Sequence, residues 1–134
     1  MMKLSKARKI FLAIIGEAVN VARAMNLTVP PFGGKLDYFK LMHGDSPLDN
    51  LRRHLMIRIV GIKYSKLKSS SLQSLERGRP TEIDYFNGFI ARKGAEAGVP
   101  CPVNERLTAM VKEIENGARR IQVSNLDDPA FARL

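Results

Sequence analysis

Apolar residues recur at three- and four-residue steps along most of the chain, a period that predicts helices rather than strands. Between Ser5 and Met25, Phe11, Ile14, Ile15, Ala18, Ala22 and Met25 form one stripe, while Lys6, Lys9, Glu17 and Asn20 fall elsewhere. An amphipathic helix is predicted there, ended by Asn26, a residue that tolerates the left-handed conformation. Val29-Pro30-Pro31-Phe32-Gly33-Gly34 suits only a connector, and a short helix is expected over Leu36 to His43. Ser46-Pro47-Leu48-Asp49 then has the form of a helix start, with a capping serine, a first-turn proline and an acid three residues after the cap. The helix it opens carries Leu48, Leu51, Leu55, Ile59 and Ile62 as a stripe of the kind that faces a core, widened by Met56 and Val60. It is expected to run into the Lys66-Leu67-Lys68 region, where serines interrupt it.

Thr81 can cap a further helix with Asp84 as its capping-box partner, leaving Ile83, Phe86 and Ile90 as the core face and Gly98 as the end. Pro102 opens the last predicted helix, packed through Val103, Leu107, Met110, Val111 and Ile114. Past Gly117 the apolar positions thin around Arg119, Arg120 and Asp127-Asp128-Pro129, so residues 119–134 are expected to form a loosely held tail on a helical domain of residues 1–118. No internal repeat and no convincing strand interrupts this pattern. The predicted fold class is all-α, one domain.

Composition narrows the setting more than the function. A chain of 134 residues can bury roughly 70% of its unfolded surface without a disulfide or metal. The single Cys101 excludes an intramolecular disulfide and a cysteine-based zinc cluster, which makes the cytoplasm the expected compartment. The longest apolar run, Ile10 to Ile15, is far short of the ~20 residues that span a bilayer, so a soluble protein with no membrane partner is expected. The net charge of +9 points to anionic partners, which include a phosphorylated cofactor, a carboxylate substrate and nucleic acid. Arg52, Arg53, Arg58, Lys63, Lys66 and Lys68 would be the nucleic-acid face. No helix-turn-helix, zinc site or aromatic platform accompanies them, and direct nucleic-acid binding is not expected. His43 and His54 lack metal-ligand spacing, and Cys101 reads as a buried or capping thiol.

Chemistry enters through one series of motifs. Ser69-Ser70-Ser71-Leu72-Gln73 precedes Pro80-Thr81-Glu82-Ile83-Asp84, and Gly98-Val99-Pro100-Cys101-Pro102-Val103-Asn104 follows. In order and spacing this resembles the helical C-terminal domain of ketopantoate reductases (2-dehydropantoate 2-reductases), a fold of the 6-phosphogluconate dehydrogenase C-terminal-like kind. A looser correspondence extends from about Ser5 to about Glu115. Such enzymes reduce 2-dehydropantoate to pantoate with NADPH, in pantothenate biosynthesis.

The resemblance implies roles for two residues. Glu82 matches the glutamate that faces the interdomain cleft and hydrogen-bonds the substrate's hydroxyl or keto region; spacing alone makes it a favourable first-turn acid, kept ionised by free amides. Ser70 matches a serine that contacts the substrate carboxylate, although turn serines commonly serve only the backbone. Glu17 matches an acidic position of the family but reads first as solvent-exposed. Asp84 is expected to cap, Gly88 to allow close helix packing, and Ser74 departs from a frequent aspartate. The stripe Phe11, Phe86, Phe89 and Met110 reads as core.

The sequence holds no Gly-x-Gly-x-x-Gly, and the family's catalytic lysine has no counterpart among Lys3, Lys6 and Lys9. The expected function is therefore the substrate-binding helical half of such a reductase, binding no cofactor alone and using NADPH only with a separately encoded dinucleotide-binding (Rossmann) partner. A non-catalytic helical dimerisation module is the alternative, and a homodimer is expected in either case.

Overall fold

In the computed structural model, residues 5–31, 34, 36–63 and 69–134 are described, with the side chain of residue 63 excepted. Their α-helices are α1 (Ser5–Ala24), α2 (Tyr38–Leu41), α3 (Pro47–Lys63), α4 (Ser70–Glu76), α5 (Asn87–Ala97) and α6 (Pro102–Glu115), with one 3-10 turn between α4 and α5 and two more after α6. No β-strand occurs among the described residues, so the all-α expectation holds. The expected run of α3 into Lys66-Leu67-Lys68 falls outside the described residues.

α1, α5 and α6 form the centre, with α3 laid on α1 from the other side. Ile10, Val103, Met110 and Phe131 make one buried cluster and Leu12, Leu41 and Ile57 a second. α1 is buried on several sides at once, through Ala7, Ile10, Leu12, Val19, Val21 and Ala22. Its predicted stripe is split: Ala22 is buried and Ile14 packs on the core, Ile15 and Ala18 are half-buried, and Phe11 and Met25 are exposed. Asn26 closes α1 with φ 55°, in the left-handed region expected of it.

α3 departs most from expectation. Ser46 and Asp49 do form a reciprocal cap, Asp49 N–H donating to Ser46 Oγ at 3.1 Å and Ser46 Oγ to Asp49 Oδ2 at 2.7 Å. Yet the stripe from Leu48 to Ile62, with Met56 and Val60, is 36–76% exposed, and the helix buries Arg53 and Ile57 instead. Arg53 is 6% exposed because its guanidinium stitches the Leu41–Gly44 loop to α3, donating to Leu41 O at 2.9 Å, His43 O at 3.2 Å, Gly44 O and Asn50 Oδ1 at 3.0 Å. The stripe's period is real. Nothing among the described residues covers it.

Residues 119–134 are packed rather than loose. Phe131, 2% exposed, inserts beside Ile10, Val103 and Met110. Arg106 donates to Asp128 Oδ2 at 2.7 Å and to Glu113 Oε1 at 2.6 Å, and Arg119 donates to Glu113 Oε2 at 2.5 Å. Lys6 reaches Asp127 at 2.8 Å, which ties the tail to the first turn of α1. The sparse apolar pattern concealed this because one buried aromatic ring and a charge cluster fix the segment without a periodic helix.

Candidate functional site

The Pro-Thr-Glu-Ile-Asp segment does not open a long helix. Ile83–Tyr85 is a single 3-10 turn, Phe86 breaks it with φ −105° and ψ −90°, and α5 begins only at Asn87. Thr81 still performs a local cap, since Ile83 N–H donates to its Oγ1 at 3.2 Å. Its main partner is remote: Thr81 N–H and Oγ1 both donate to Glu115 Oε1 at 2.7 Å, from the end of α6. Burial opposes the charge on Glu115, but the two Thr81 hydrogen bonds and nearby Lys112 outweigh it, and the carboxyl titrates below its ordinary range.

Asp84 is not the capping partner. Its side chain forms an ion pair with Lys112, while Arg92 donates to its backbone oxygen at 3.2 Å. Ile83 is buried. Thr81, Ile83 and Asp84 are thus each engaged in fixing the segment to its neighbours. Glu82 is exposed, and its carboxylate makes no hydrogen bond or ion pair among the described residues. It sits at the cap of a one-turn element, so the helix-dipole support expected of a long first turn is absent.

Ser70 begins α4. The backbone-serving role belongs to its neighbour, since Ser69 Oγ accepts from Leu72 N–H at 3.2 Å. The Ser70 hydroxyl is exposed and has no partner among the described residues. α4 buries none of its residues, and no hydrogen bond or ion pair joins Ser70 to Glu82. Both proposed contact residues are therefore available, one on a clamped turn and the other on a lightly packed helix.

Glu17 has a structural role that its sequence context hid. From the middle of α1 its carboxylate accepts from Val103 N–H at 2.8 Å and Asn104 N–H at 2.9 Å, capping α6. It also accepts from Asn104 Nδ2 at 2.6 Å, and Asn104, fully buried, accepts from Asn87 Nδ2 at 2.9 Å. The signal available was Asn104 in the first turn of a helix whose cap position, Cys101, makes no side-chain cap bond. The Cys101 thiol is buried against α5, and desolvation followed by the charges of Glu17 and Glu105 pushes its pKa up. Gly94 permits this packing: a Cβ there would lie 2.5 Å from Cys101 Sγ and 2.6 Å from Val99 O. At Gly88 a Cβ would meet only ordinary contacts of 3.4–3.5 Å, so the close approach expected there is not required.

Between α1 and α5 runs a groove of about 620 Å³, lined by Phe11, Ile15, Ala22, Phe86, Phe89 and Ile90 among others. The three phenylalanines expected in the core are exposed along it, and only Met110 of that stripe is buried. The basic face of α3 is also smaller than its sequence suggests. Arg53 is buried, Arg52 donates to Lys40 O at 3.1 Å, Arg58 is exposed, and Lys66 and Lys68 lie outside the described residues. No group of three or more His, Cys, Asp or Glu able to hold a metal occurs among the described residues, and no helix there is long and apolar enough to cross a membrane.

The fold defines an all-helical domain with a clamped Pro-Thr-Glu-Ile-Asp turn, and sequence comparison shows the family it belongs to. Residues 1–115 match the family described as "Ketopantoate reductase PanE/ApbA C terminal", and the chain belongs to that family. The chain is 43% identical over 61 residues to a 2-dehydropantoate 2-reductase of Archaeoglobus fulgidus, covering 46% of this chain and 21% of that protein. A Shigella flexneri enzyme of the same name is 47% identical over 53 residues, 40% of this chain and 18% of the relative. The alignment to the Pyrobaculum aerophilum 2-dehydropantoate 2-reductase is longer, 27% identical over 110 residues, 82% of this chain and 32% of that enzyme. The chain thus spans less than a third of the length of these relatives. No solved structure matches it significantly.

Proposed function

We propose that this chain is the substrate-contacting helical part of a ketopantoate-reductase-like oxidoreductase. In this reading Glu82 and Ser70 face a cleft completed by a dinucleotide-binding partner, and the substrate is a 2-keto acid such as 2-dehydropantoate. The observation that carries the reading is the division of labour in Pro80–Asp84. Thr81 and Asp84 are engaged with α6 and Ile83 is buried, whereas Glu82 is held by its rigid neighbours and left unpartnered. A hydrogen-bond acceptor on a fixed element is what orientation of a substrate hydroxyl or keto group requires. Ser70 Oγ would donate to the substrate carboxylate.

The chain's own residues do not fit NADPH. The sequence has no glycine-rich phosphate turn and the described residues no βαβ unit, so hydride transfer is assigned to the partner and the isolated chain should not bind the dinucleotide. The test is turnover of 2-dehydropantoate with a cofactor-binding partner supplied in trans or by fusion. Glu82→Gln should lower kcat/KM by about 1.5–3 kcal/mol, roughly ten- to a hundredfold, the worth of a charge-assisted hydrogen bond. Unchanged turnover in Glu82→Gln would overturn the role.

A second reading, an assembly module, is favoured by the exposed stripe of α3. Its seven large side chains, 36–76% exposed, leave an apolar face of the kind that marks an interaction surface. A homodimer joined through α3 is compatible with either reading, and sedimentation decides it.

A further inference from the structure

Glu115 stands where a helix least favours an acid. It is the last residue of α6, where unpaired carbonyls carry partial negative charge, and its side chain is only 9% exposed. The helix dipole and desolvation both work against its carboxylate. A glutamate so placed does not serve α6. Its oxygens are used outside the helix axis: Oε1 accepts from Thr81 N–H and Oγ1, each at 2.7 Å, and Oε2 pairs with Lys112 at 3.1 Å. Lys112, one turn earlier, reaches on to Asp84. The last turn of α6 thus grips the residue before Glu82 and the residue two after it, with Ile83 buried between them.

The element that carries Glu82 needs such a grip. It is a single 3-10 turn, in which Tyr85 N–H donates to Glu82 O at 3.0 Å, and Phe86 breaks it immediately. One isolated turn fixes several dihedral angles for very few hydrogen bonds and does not keep its shape unaided. Thr81 Oγ1 passes the hold inward, since it donates to Glu115 and also accepts from Ile83 N–H at 3.2 Å. The Lys112–Asp84 pair is about half exposed, so solvent weakens it and Glu115 supplies most of the hold.

We infer that Glu115, braced by Lys112, is a positioning residue for Glu82: it fixes the turn from which Glu82 is presented and itself touches neither substrate nor cofactor. This rests on the reductase reading for what Glu82 meets.

Glu115→Ala tests the inference in two measurements. In the 134-residue chain, amide exchange at Tyr85, whose N–H closes the turn on Glu82 O, should quicken about tenfold relative to Met110 in the middle of α6. With the cofactor-binding partner supplied, kcat/KM should fall about tenfold. In a Glu82→Gln background the same change should lower it less than about twofold, because a residue that acts through Glu82 then has nothing left to position. A clamp that serves stability alone would lower turnover by the same factor in both backgrounds. Glu115→Gln keeps an oxygen at the reach of Thr81 and should recover most of the loss, whereas Glu115→Asp keeps the charge but falls one carbon short and should not. If Glu115→Ala does not fold, Thr81→Val takes its place: it retains the N–H bond to Glu115, loses the hydroxyl, and should show a smaller loss with the same dependence on Glu82. An unchanged ratio of Tyr85 to Met110 exchange, parent-like turnover in Glu115→Ala, equal losses in the two backgrounds, or recovery by Asp rather than Gln would each overturn the inference. Exchange needs neither substrate nor partner. If Glu82→Gln leaves turnover unaffected, the reductase reading falls, while the Tyr85 rate still decides whether Glu115 holds the turn.

Discussion

α3 and α6 begin alike, each with proline at its first helical position and an apolar stripe on one side, yet one is covered and the other is not. α3 is capped locally by Ser46 and Asp49 and exposes its stripe; α6 is capped across the molecule by Glu17 and buries Val103 and Met110. The comparison separates two properties that periodicity conflates. An apolar stripe says that a face needs cover, whereas the source of the cover is set by tertiary neighbours. For α6 those neighbours are α1, α5 and the C-terminal segment, whereas for α3 the described neighbours, α1 and α2, cover Ile57 and leave the stripe bare.

If α6 is the covered region, the largest losses should come from its partners. Phe131→Ala removes a buried ring from between α1 and α6 and should cost about 3–5 kcal/mol, lowering Tm by roughly 10–20 °C. A loss near zero would mean that residues 119–134 do not hold α6, and the contrast with α3 would narrow to the Glu17 cap.

Glu17→Gln sharpens the same comparison at the helix start. The amide keeps one acceptor for Val103 N–H but turns a donor toward Asn104, whose N–H and Nδ2 both point at the carboxylate. Stability should fall by about 2 kcal/mol and Tm by roughly 8 °C, measured by thermal unfolding. A cap built from adjacent residues, like that of α3, would not show such dependence on a position in another helix.

Acid should loosen the tail's hold on the covered region. Hydrogen bonds from Arg106 hold the carboxyls of Asp128 and Glu113 below their ordinary values of 3.8 and 4.5. Their stabilisation is present above those ordinary values and is lost as pH falls through the lowered ones, so Tm should drop below about pH 4. His54 adds a gentler decline: desolvation, then Arg8 and Lys9, lower its pKa from 6.5, so the unfolded chain takes up the proton first as pH falls below that value. A Tm that stays flat below about pH 4 would show that Asp128 and Glu113 do not hold the tail.

What the sequence made legible follows the same division. The periods of α1, α3 and α6, the Ser46–Asp49 cap and the left-handed Asn26 depend on residues close together in the chain and are readable, whereas the serines of α4 read as a break and α5, which reads as capped by Thr81, begins only at Asn87. Glu17 as the α6 cap, Glu115 as the clamp on Thr81 and Phe131 as core depend on contacts between distant positions, which spacing does not encode. At the candidate site, motif resemblance singled out Glu82 and Ser70, but Asp84 was misassigned because a local cap was the nearest explanation for an acid three residues after threonine. The structure pairs it with Lys112 instead.

The smallest effect is expected on the uncovered side. Leu51→Gln with Leu55→Gln replaces two exposed side chains of α3 without opening a cavity or stranding a buried partner. In the dilute monomer, stability should change by no more than about 0.5 kcal/mol per site. The reason is the comparison itself: side chains left largely exposed among the described residues contribute little to the unfolding free energy, however apolar they are. Should the chain dimerise through this face, the variant should instead weaken association, seen as a sedimentation shift toward monomer and loss of the concentration dependence of Tm. A large loss of stability at a dilution where the parent is monomeric would show that α3's stripe is covered within one chain, and would remove the contrast with α6.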